Sequence, residues 1–344
     1  MTLLIFILVL GAIIFVHEFG HFIFAKIMGV YVYEFSLGMG PKIFHKKGKE
    51  TEYCLRAIPI GGFCSLAGEE IDEDKIKVPK NRRLQDKKPW QRFLIMFFGP
   101  GFNFIFAILV LFLVALFSGS PSYEPVITKV TKNYPAYKVG IEKKDRILKI
   151  DGKKVETLDD ISLYLTISKH KNTKIKVKKE NGDIKTYTVT PKKKKIKDKL
   201  TYVYGINLSS KKNYGLVNSI KYSFVKTKSL FKQMWITVVS LFTGGVKVTQ
   251  LSGPVGIYSI VGEQSKSGIA SILYLMAFLS INVGFINLIP FPAFDGGHIL
   301  FIIIEKIKGS PVSPKVENMI HTVGLFLLMA LMVYITFNDI MKLF

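Results

Sequence analysis

The sequence predicts a polytopic α-helical membrane protein into which a basic α+β domain is inserted. Three observations support this class: 49% of the 344 residues are hydrophobic, these residues gather in long uncharged runs, and most of the 48 lysines and arginines lie between the runs. A disordered polycation would lack this apolar mass. Two cysteines and 28 glycines without a period also exclude a disulfide-rich or collagen-like chain.

Four runs are long enough to cross a hydrocarbon core of about 30 Å, because a helix rises about 1.5 Å per residue. They cover about residues 1–27, 93–117, 269–289 and 322–338. The first run lacks the basic leader and the small-residue cleavage site of a signal peptide, so we expect it to be retained as a span. The predicted membrane halves are therefore residues 1–118 and 269–344.

The distribution of charge predicts the orientation in the membrane. No lysine or arginine precedes the first apolar run, whereas the loop 28–92 is rich in both, which places that loop in the cytoplasm and the N-terminus outside. The segment 119–268 then lies outside, although it is more basic still, because long domains translocate largely regardless of charge. The net charge of +23 therefore predicts a face near anionic lipid headgroups and no nucleic-acid partner.

The first span contains His17-Glu18-Phe19-Gly20-His21, an H-E-x-x-H sequence. Residues four apart share one face of a helix, so both imidazoles can bind one metal ion while Glu18 serves as a general base. A chance match, or a polar patch satisfied inside a helix bundle, is the alternative. Ionisable groups are costly inside a membrane and are usually functional there, which favours the metal site.

A zinc site with an open catalytic position needs a third protein ligand. We expect this ligand to be Asp295, which follows a stretch that Pro290 and Pro292 break at the end of the third span. His17 lies about 24 Å from the outer end of its helix, and Asp295 arrives at a similar depth near the cytoplasmic face. An ordinary Asp-Gly turn is the alternative interpretation, and His298 is a rival ligand of lower rank.

These motifs resemble the site-2 protease family of intramembrane zinc metalloproteases (peptidase family M50). The chain looks most like the bacterial sigma-E-protease type, which acts in regulated intramembrane proteolysis and has one PDZ domain. Nearly the whole chain takes part in the resemblance. HEFGH at 17–21 matches the family's metal-binding helix, and Asn287 to Gly296 match its Asn-Pro-Pro-Asp-Gly pattern with Phe294 in place of the usual Leu.

The resemblance implies a function and a place in the cell. His17, His21 and Asp295 are expected to hold Zn²⁺, and Glu18 is expected to move the proton during hydrolysis. Asn287 is expected to hydrogen-bond the substrate backbone or the oxyanion. The expected substrates are single-pass membrane proteins, such as anti-sigma factors already trimmed by another protease, or leftover signal peptides, in a bacterial plasma membrane.

The cytoplasmic loop also resembles that of the family, where it forms a small β-structure near the active site. Phe35 to Pro41 and Ala57 to Phe63 carry this likeness, and the second stretch is expected to capture an unwound substrate as an added strand. The residues of this predicted substrate strand are Ala57, Ile58, Pro59, Ile60, Gly61, Gly62 and Phe63. Cys54 and Cys64 lie in the same loop, where a reducing compartment favours free thiols.

The insert at 122–195 alternates apolar and polar residues in short runs, which is typical of strands. Its stretch Val139 to Gly152 resembles the central signature of a PDZ domain, and a helix is expected at about 159–168. Such a domain either binds a peptide tail by strand addition or acts only as a plug. The following segment, 213–268, is expected to hold an amphipathic helix on the outer interface and a linker.

Two functions of other classes remain open from the sequence. One is a catalytically silent membrane scaffold that presents a PDZ domain, against which the intact Glu18 argues. The other is a metal transporter that uses the intramembrane histidines and Asp295, but no second half with an HExxH-like sequence is found.

Overall fold

Four helices of the computed structural model are long and apolar enough to cross a membrane. The structure describes residues 1–69, 78–168, 172–196, 199–208, 212–246 and 248–342. Within this part of the chain the candidate spans are Thr2–Ile27, Pro89–Ser118, Ile269–Asn287 and Lys315–Met341. The prediction of a polytopic helical membrane protein is therefore confirmed.

The helices include the four candidate spans and several further helices of varied length. They are α1 (Thr2–Ile27), α2 (Pro89–Ser118), α3 (Pro135–Lys138), α4 (Leu158–Ile167), α5 (Leu216–Phe242), α6 (Pro254–Ser265), α7 (Ile269–Asn287), α8 (Asp295–Lys308) and α9 (Pro314–Met341), with short 3₁₀ turns at Lys80–Arg82, Leu84–Asp86 and Val248–Gln250. The last span begins earlier than the predicted 322, because Pro314 occupies a position that starts a helix readily and polar residues fill the turns before the apolar run.

The strands form small antiparallel sheets. They are β1 (Val32–Lys47), β2 (Glu52–Leu66), β3 (Ser120–Pro121), β4 (Lys129–Val130), β5 (Arg146–Ile150), β6 (Lys153–Lys154), β7 (Thr173–Lys178), β8 (Ile184–Val189), β9 (Lys192–Ile196), β10 (Lys199–Val203), β11 (Ile206–Asn207) and β12 (Lys212–Asn213). Among them, β6, β5, β7 and β8 make one four-stranded sheet in that order, and β9–β10, β4–β11 and β3–β12 are paired.

The chain divides into two compact units, residues 1–110 with 248–344 and residues 111–247. In the first unit, β1 and β2 form a ribbon that folds over on itself, so that Phe35 has partners in both halves of β2, Tyr53 and Cys64. Buried side chains of α1, α6 and α7 form one core of this unit, and those of α1, α2 and β2 form another.

The second unit has an isoleucine-rich core between its four-stranded sheet and α4. Ile147, Ile161 and Ile175 are fully buried there. A capping box starts α4, because the Thr157 hydroxyl and the Asp160 carboxylate each accept a backbone hydrogen bond at its first turn. The helix expected at 159–168 is observed at Leu158–Ile167.

The break after the third span is the feature of the fold that positions Asp295. Helix α7 ends at Asn287 and α8 begins at Asp295, with Pro290 and Pro292 in the connection. Proline has no backbone N–H and its ring clashes with the preceding helical turn, so α7 cannot continue. Asp295 therefore stands at the first position of a new helix.

Candidate metal centre

Helix α1 presents its two histidines to the same point. Their spacing of four residues places the rings on one face, 4.9 Å apart between centroids and at 82° to one another. The two Nε2 atoms are 3.4 Å apart. Both side chains are buried, His17 and His21 alike at 8% exposure.

Asp295 completes the group from the start of α8. Its Oδ2 atom lies 3.2 Å from His17 Nε2, and its Oδ1 atom lies 3.4 Å from His21 Nε2. The connection between α7 and α8 therefore brings a carboxylate to the histidine face of α1, although 274 positions separate Asp295 from His21 in the chain.

The three side chains fit a zinc ion. Ligand atoms held about 2.0–2.2 Å from Zn²⁺ in a tetrahedron lie about 3.3–3.5 Å from one another. The two Nε2 atoms are 3.4 Å apart, and each lies 3.2 or 3.4 Å from a different oxygen of the Asp295 carboxylate, which is close to that spacing. In addition, the buried Oδ2 atom of Asp295 accepts no well-formed hydrogen bond from the described residues. A cation accounts both for the spacing and for this unpartnered oxygen.

Neighbouring groups hold the far side of each imidazole. His21 Nδ1 donates a hydrogen bond to the backbone carbonyl of Ile95 over 2.9 Å. The side-chain amide of Asn103 lies 3.2 Å from His17 Nδ1. Ser280 Oγ donates to the backbone carbonyl of Asn103 over 2.9 Å and lies 3.3 Å from the Asn103 amide oxygen. Such contacts fix the ring orientation of metal ligands.

Glycines let the helices meet closely around the two histidines. A Cβ atom on Gly20 would stand 2.1 Å from the carbonyl oxygen of Phe98, and one on Gly99 would stand 2.1 Å from His21 Nε2. A Cβ on Gly284 would lie 2.9 Å from the carbonyl oxygen of Pro100. Small residues permit such approach between membrane helices. Gly99 therefore leaves room beside His21 Nε2.

A cavity of about 880 Å³ opens beside the three side chains. Glu18 and Asn287 line it, and so does Phe63 of β2. Gly62 lies where β2 passes α1, because a Cβ atom there would be 3.4 Å from Glu18 Cγ. The structure thus brings Glu18, Asn287 and one end of the predicted substrate strand to one cavity. The side chains of Pro59 and Ile60 are outside the described part of the chain.

An ion-pair network forms another part of the cavity wall. Arg56 lies 2.6 Å and Lys42 lies 3.1 Å from the Glu34 carboxylate. Burial opposes ionisation of Glu34, but these hydrogen bonds hold its pKa below the ordinary value. The group Glu34, Glu52 and Cys54 is therefore already neutralised by cations and gives no vacancy for a metal ion.

Two further acidic side chains, Glu69 and Cys64, line the same cavity. Desolvation by the cavity wall raises the pKa of the Glu69 carboxyl although the residue keeps solvent exposure, and its side chain accepts a hydrogen bond from the backbone N–H of Leu66. Burial also raises the pKa of the Cys64 thiol, and Cys54 and Cys64 are free cysteines, as the sequence predicts. Cys64 is thus a protonated thiol at neutral pH and a poor metal ligand.

Sequence reasoning missed several residues around the site. Asn103 could have been found, because it is the single polar side chain between Phe93 and Phe117 and polar groups inside a span are usually functional. The carbonyl of Ile95, Ser280 and Glu69 carry no comparable signal. His298, the rival ligand, lies instead in a separate group with Glu317 and His321.

Four candidate membrane spans, an H-E-x-x-H helix and an aspartate beside its two histidines are the features of a polytopic membrane metallopeptidase. Comparison with known families agrees, since the description of peptidase family M50 matches residues 5–331. The chain belongs to peptidase family M50, the site-2 protease family, and its cofactor is Zn²⁺.

Relatives of full length carry the same description. A protein of Clostridium perfringens, provisionally named a zinc metalloprotease, is 39% identical over 99% of this chain and 98% of its own length. The zinc metalloprotease RasP of Bacillus licheniformis is 32% identical over 100% of this chain and 99% of its own length. A Clostridium acetobutylicum protein with the same provisional name is 34% identical over 98% of this chain and 97% of its own length.

Proposed function

We propose that the protein hydrolyses peptide bonds within or next to the transmembrane segment of single-pass membrane proteins. The observation that carries this proposal is the group His17, His21 and Asp295, which lies beside Glu18 on apolar membrane helices. The family assignment favours this enzyme over a silent scaffold or a metal transporter.

His17, His21 and Asp295 would hold the zinc ion through two Nε2 atoms and a carboxylate oxygen. When bound, zinc supplies Lewis acidity that polarises a carbonyl and makes water a nucleophile near neutral pH. Because the Nε2 lone pairs face the ion, both Nδ1 atoms carry protons. The Ile95 carbonyl accepts one of these protons, as the 2.9 Å contact requires.

The second Nδ1 proton indicates how the Asn103 amide is oriented. His17 Nδ1–H needs an acceptor, so the amide oxygen of Asn103 should face it, and the amide nitrogen should face Ser280. Ser280 can accept there because its own proton goes to the Asn103 carbonyl over 2.9 Å. Amide orientation follows from the hydrogen-bond network, and this arrangement satisfies every member.

Glu18 acts as the general base and acid. Its carboxylate takes a proton from the attacking water and gives it to the leaving amine. Asn287, on the same cavity wall, binds the substrate backbone or the oxyanion through its side-chain amide. Glu18 and Asn287 thus divide proton transfer and substrate orientation between them.

The substrate must unwind before its carbonyls become accessible, because a helix already uses them in its own hydrogen bonds. The stretch Ala57 to Phe63 of β2 supports capture of the unwound segment as an added strand, since it passes Glu18 and reaches the cavity at Phe63. The resemblance of the sequence favours anti-sigma factors or leftover signal peptides as substrates.

The proposed orientation puts the N-terminus and the inserted domain outside a bacterial plasma membrane and the metal centre near the cytoplasmic face. The insert at 122–195 is proposed to be a PDZ domain that binds a peptide tail. Its four-stranded sheet and isoleucine core support this assignment. The basic surface of the insert suits contact with anionic lipid headgroups.

The test is Glu18→Gln in the full-length protein, assayed on a model single-pass substrate in proteoliposomes. We expect cleavage to fall by at least about 1,000-fold, because proton transfer and water activation are both lost. Zinc content should stay at one ion per chain. Glu263→Gln, the same change on the exposed side of α6, is the matched control and should cleave normally. Cleavage by the Glu18 variant would refute the proposal.

A further inference from the structure

A second group of histidine and carboxylate side chains lies at the start of α8 and α9. His298, Glu317 and His321 each offer a donor atom, and these atoms lie within 4.8 Å of one another. His298 Nδ1 is 3.4 Å from a carboxylate oxygen of Glu317. By composition alone this group resembles the metal centre.

Ring orientation argues against a metal ion in this second group. The rings of His298 and His321 are stacked, with centroids 4.0 Å apart and planes at 17°. Imidazole lone pairs lie in the ring plane, so one ion cannot lie in line with two rings that are stacked nearly parallel. The stack therefore gives no shared coordination point.

The protonation of His321 leads to the same conclusion. The backbone N–H of Ala293 donates to His321 Nδ1 over 3.1 Å. A neutral imidazole that accepts at Nδ1 carries its proton on Nε2. Nε2 of His321 is buried without a hydrogen-bond partner among the described residues, and it has no lone pair to offer. The Nδ1 lone pair of His321 is therefore already engaged by the N–H of Ala293 and is not available to a metal ion.

Ala293 needs such a partner because its backbone is unusual. Its φ of +78° lies in the left-handed region, which residues other than glycine rarely occupy. The neighbouring hydrogen bonds are local to the α7–α8 connection, from Phe291 N–H to the Ile289 carbonyl over 2.7 Å and from Phe294 N–H to the Phe291 carbonyl over 3.2 Å. The Ala293 bond instead ties the connection to α9.

Packing against α9 provides an independent observation. Gly324 lies three residues after His321 and so shares its helix face. A Cβ atom on Gly324 would stand 2.4 Å from Pro292 Cβ and 2.7 Å from the Pro292 carbonyl oxygen. The backbone of α9 thus touches the connection at Pro292, next to the residue that His321 holds.

We propose that His321 is a positioning residue for Asp295. It fixes the left-handed turn at Ala293, and Asp295 follows two residues later, so the orientation of the Ala293 peptide sets where the carboxylate stands. Ligand distances in metal sites stay within about 0.2 Å of their standard values, so the position of the carboxylate matters. His298, stacked on the ring, and Glu317, beside His298, keep His321 in place. The inference rests on the proposed function in one respect, that Asp295 is a zinc ligand.

The experiment compares three substitutions of His321 in the full-length protein, purified in detergent micelles. In asparagine, the amide oxygen occupies the place of Nδ1 and can still accept from Ala293, whereas glutamine places its amide near Nε2 and leucine has no acceptor. Zinc affinity is measured by competition with a chelator, without any substrate. We expect His321→Leu and His321→Gln to lower it about 10- to 100-fold, and His321→Asn to remain within about threefold of the wild type.

Gly324→Ala gives a second test that leaves His321 unchanged. Its methyl group must push Pro292 away, so zinc affinity should again fall about 10-fold. Three results would overturn the inference: unchanged zinc affinity in His321→Leu, an Asn variant as weak as the Gln variant, or a wild-type stoichiometry of two zinc ions that drops to one in His321→Leu. Failure of the proposed function is separate, because it is read from cleavage by Glu18→Gln.

Discussion

Two groups of the same residue types lie in one unit of this protein, and they differ in what they can bind. In the first, the rings of His17 and His21 meet edge to face at 82°, and Asp295 joins them at 3.2 and 3.4 Å. In the second, the rings of His298 and His321 are stacked at 17°. The comparison teaches that ring orientation, and not composition, decides which group is a metal site.

The difference has its origin in the backbone. His17 and His21 are four residues apart on one helix, which directs both Nε2 atoms to one point and leaves both Nδ1 atoms for anchoring contacts. His298 and His321 stand on different helices, and Nδ1 of His321 accepts the Ala293 N–H. One pair is thus free to bind an ion, and the other fixes the connection that supplies the third ligand.

The largest expected effect separates the two groups directly. Asp295→Ala removes a ligand, so we expect zinc affinity to fall by more than about 100-fold, beyond the usual cost of losing a supporting contact. His298→Ala removes no ligand and takes away only the ring stacked on His321, so its loss of zinc affinity should stay within about 10-fold. Equal loss in both variants, measured by chelator competition, would break the distinction.

A smaller effect is expected from the support of His17. Asn103→Leu keeps the size of the side chain but removes the acceptor for Nδ1–H, so zinc affinity should fall about 10-fold. Ser280→Ala disturbs only the orientation of the Asn103 amide and should cost less. If Ser280→Ala proved the more damaging of the two, the assigned hydrogen-bond network would be wrong.

The smallest effect concerns Glu69, which lines both the cavity of the metal centre and a smaller one beside His298. Desolvation by the cavity wall raises the pKa of this carboxyl above its ordinary value of 4.5, and solvent screening at this exposed residue keeps the effect small. Its contribution to stability is fully present below that pH and is lost as pH rises through the folded-state pKa. Glu69→Gln should therefore raise the unfolding temperature of the zinc-free protein at pH 7. The gain should vanish near pH 4, and a gain independent of pH would contradict this account.

Much of the metal centre could be predicted from sequence because its signals are local. Helical spacing predicts that His17 and His21 share a face, and depth in the membrane together with the prolines predicts that Asp295 comes near them. Helix ends were less accurate, since α9 starts at Pro314 and the predicted span starts at 322. The first turns of α9 contain polar residues, so a search for apolar runs places the start of this helix too late.

The supporting residues could not be predicted, because their roles depend on which helices touch. The carbonyl of Ile95 is chemically like any other until α2 packs on α1. In the sequence, His321 is simply a polar residue near the start of a span. Its role as a hydrogen-bond acceptor is visible only in the structure, where the backbone of Ala293 has a left-handed φ. Ala293 and His321 are 28 positions apart, and contacts between residues this far apart produce no periodic pattern in a single sequence.

X-ray absorption at the zinc edge of the full-length protein tests the central claim most directly. We expect one zinc ion per chain with two imidazole nitrogens at about 2.0–2.1 Å and oxygen ligands at about 2.0–2.2 Å. Sulfur at about 2.3 Å would implicate Cys54 or Cys64, and three or more imidazoles would implicate the second histidine group. Either spectrum would contradict a zinc ion held by His17, His21 and Asp295.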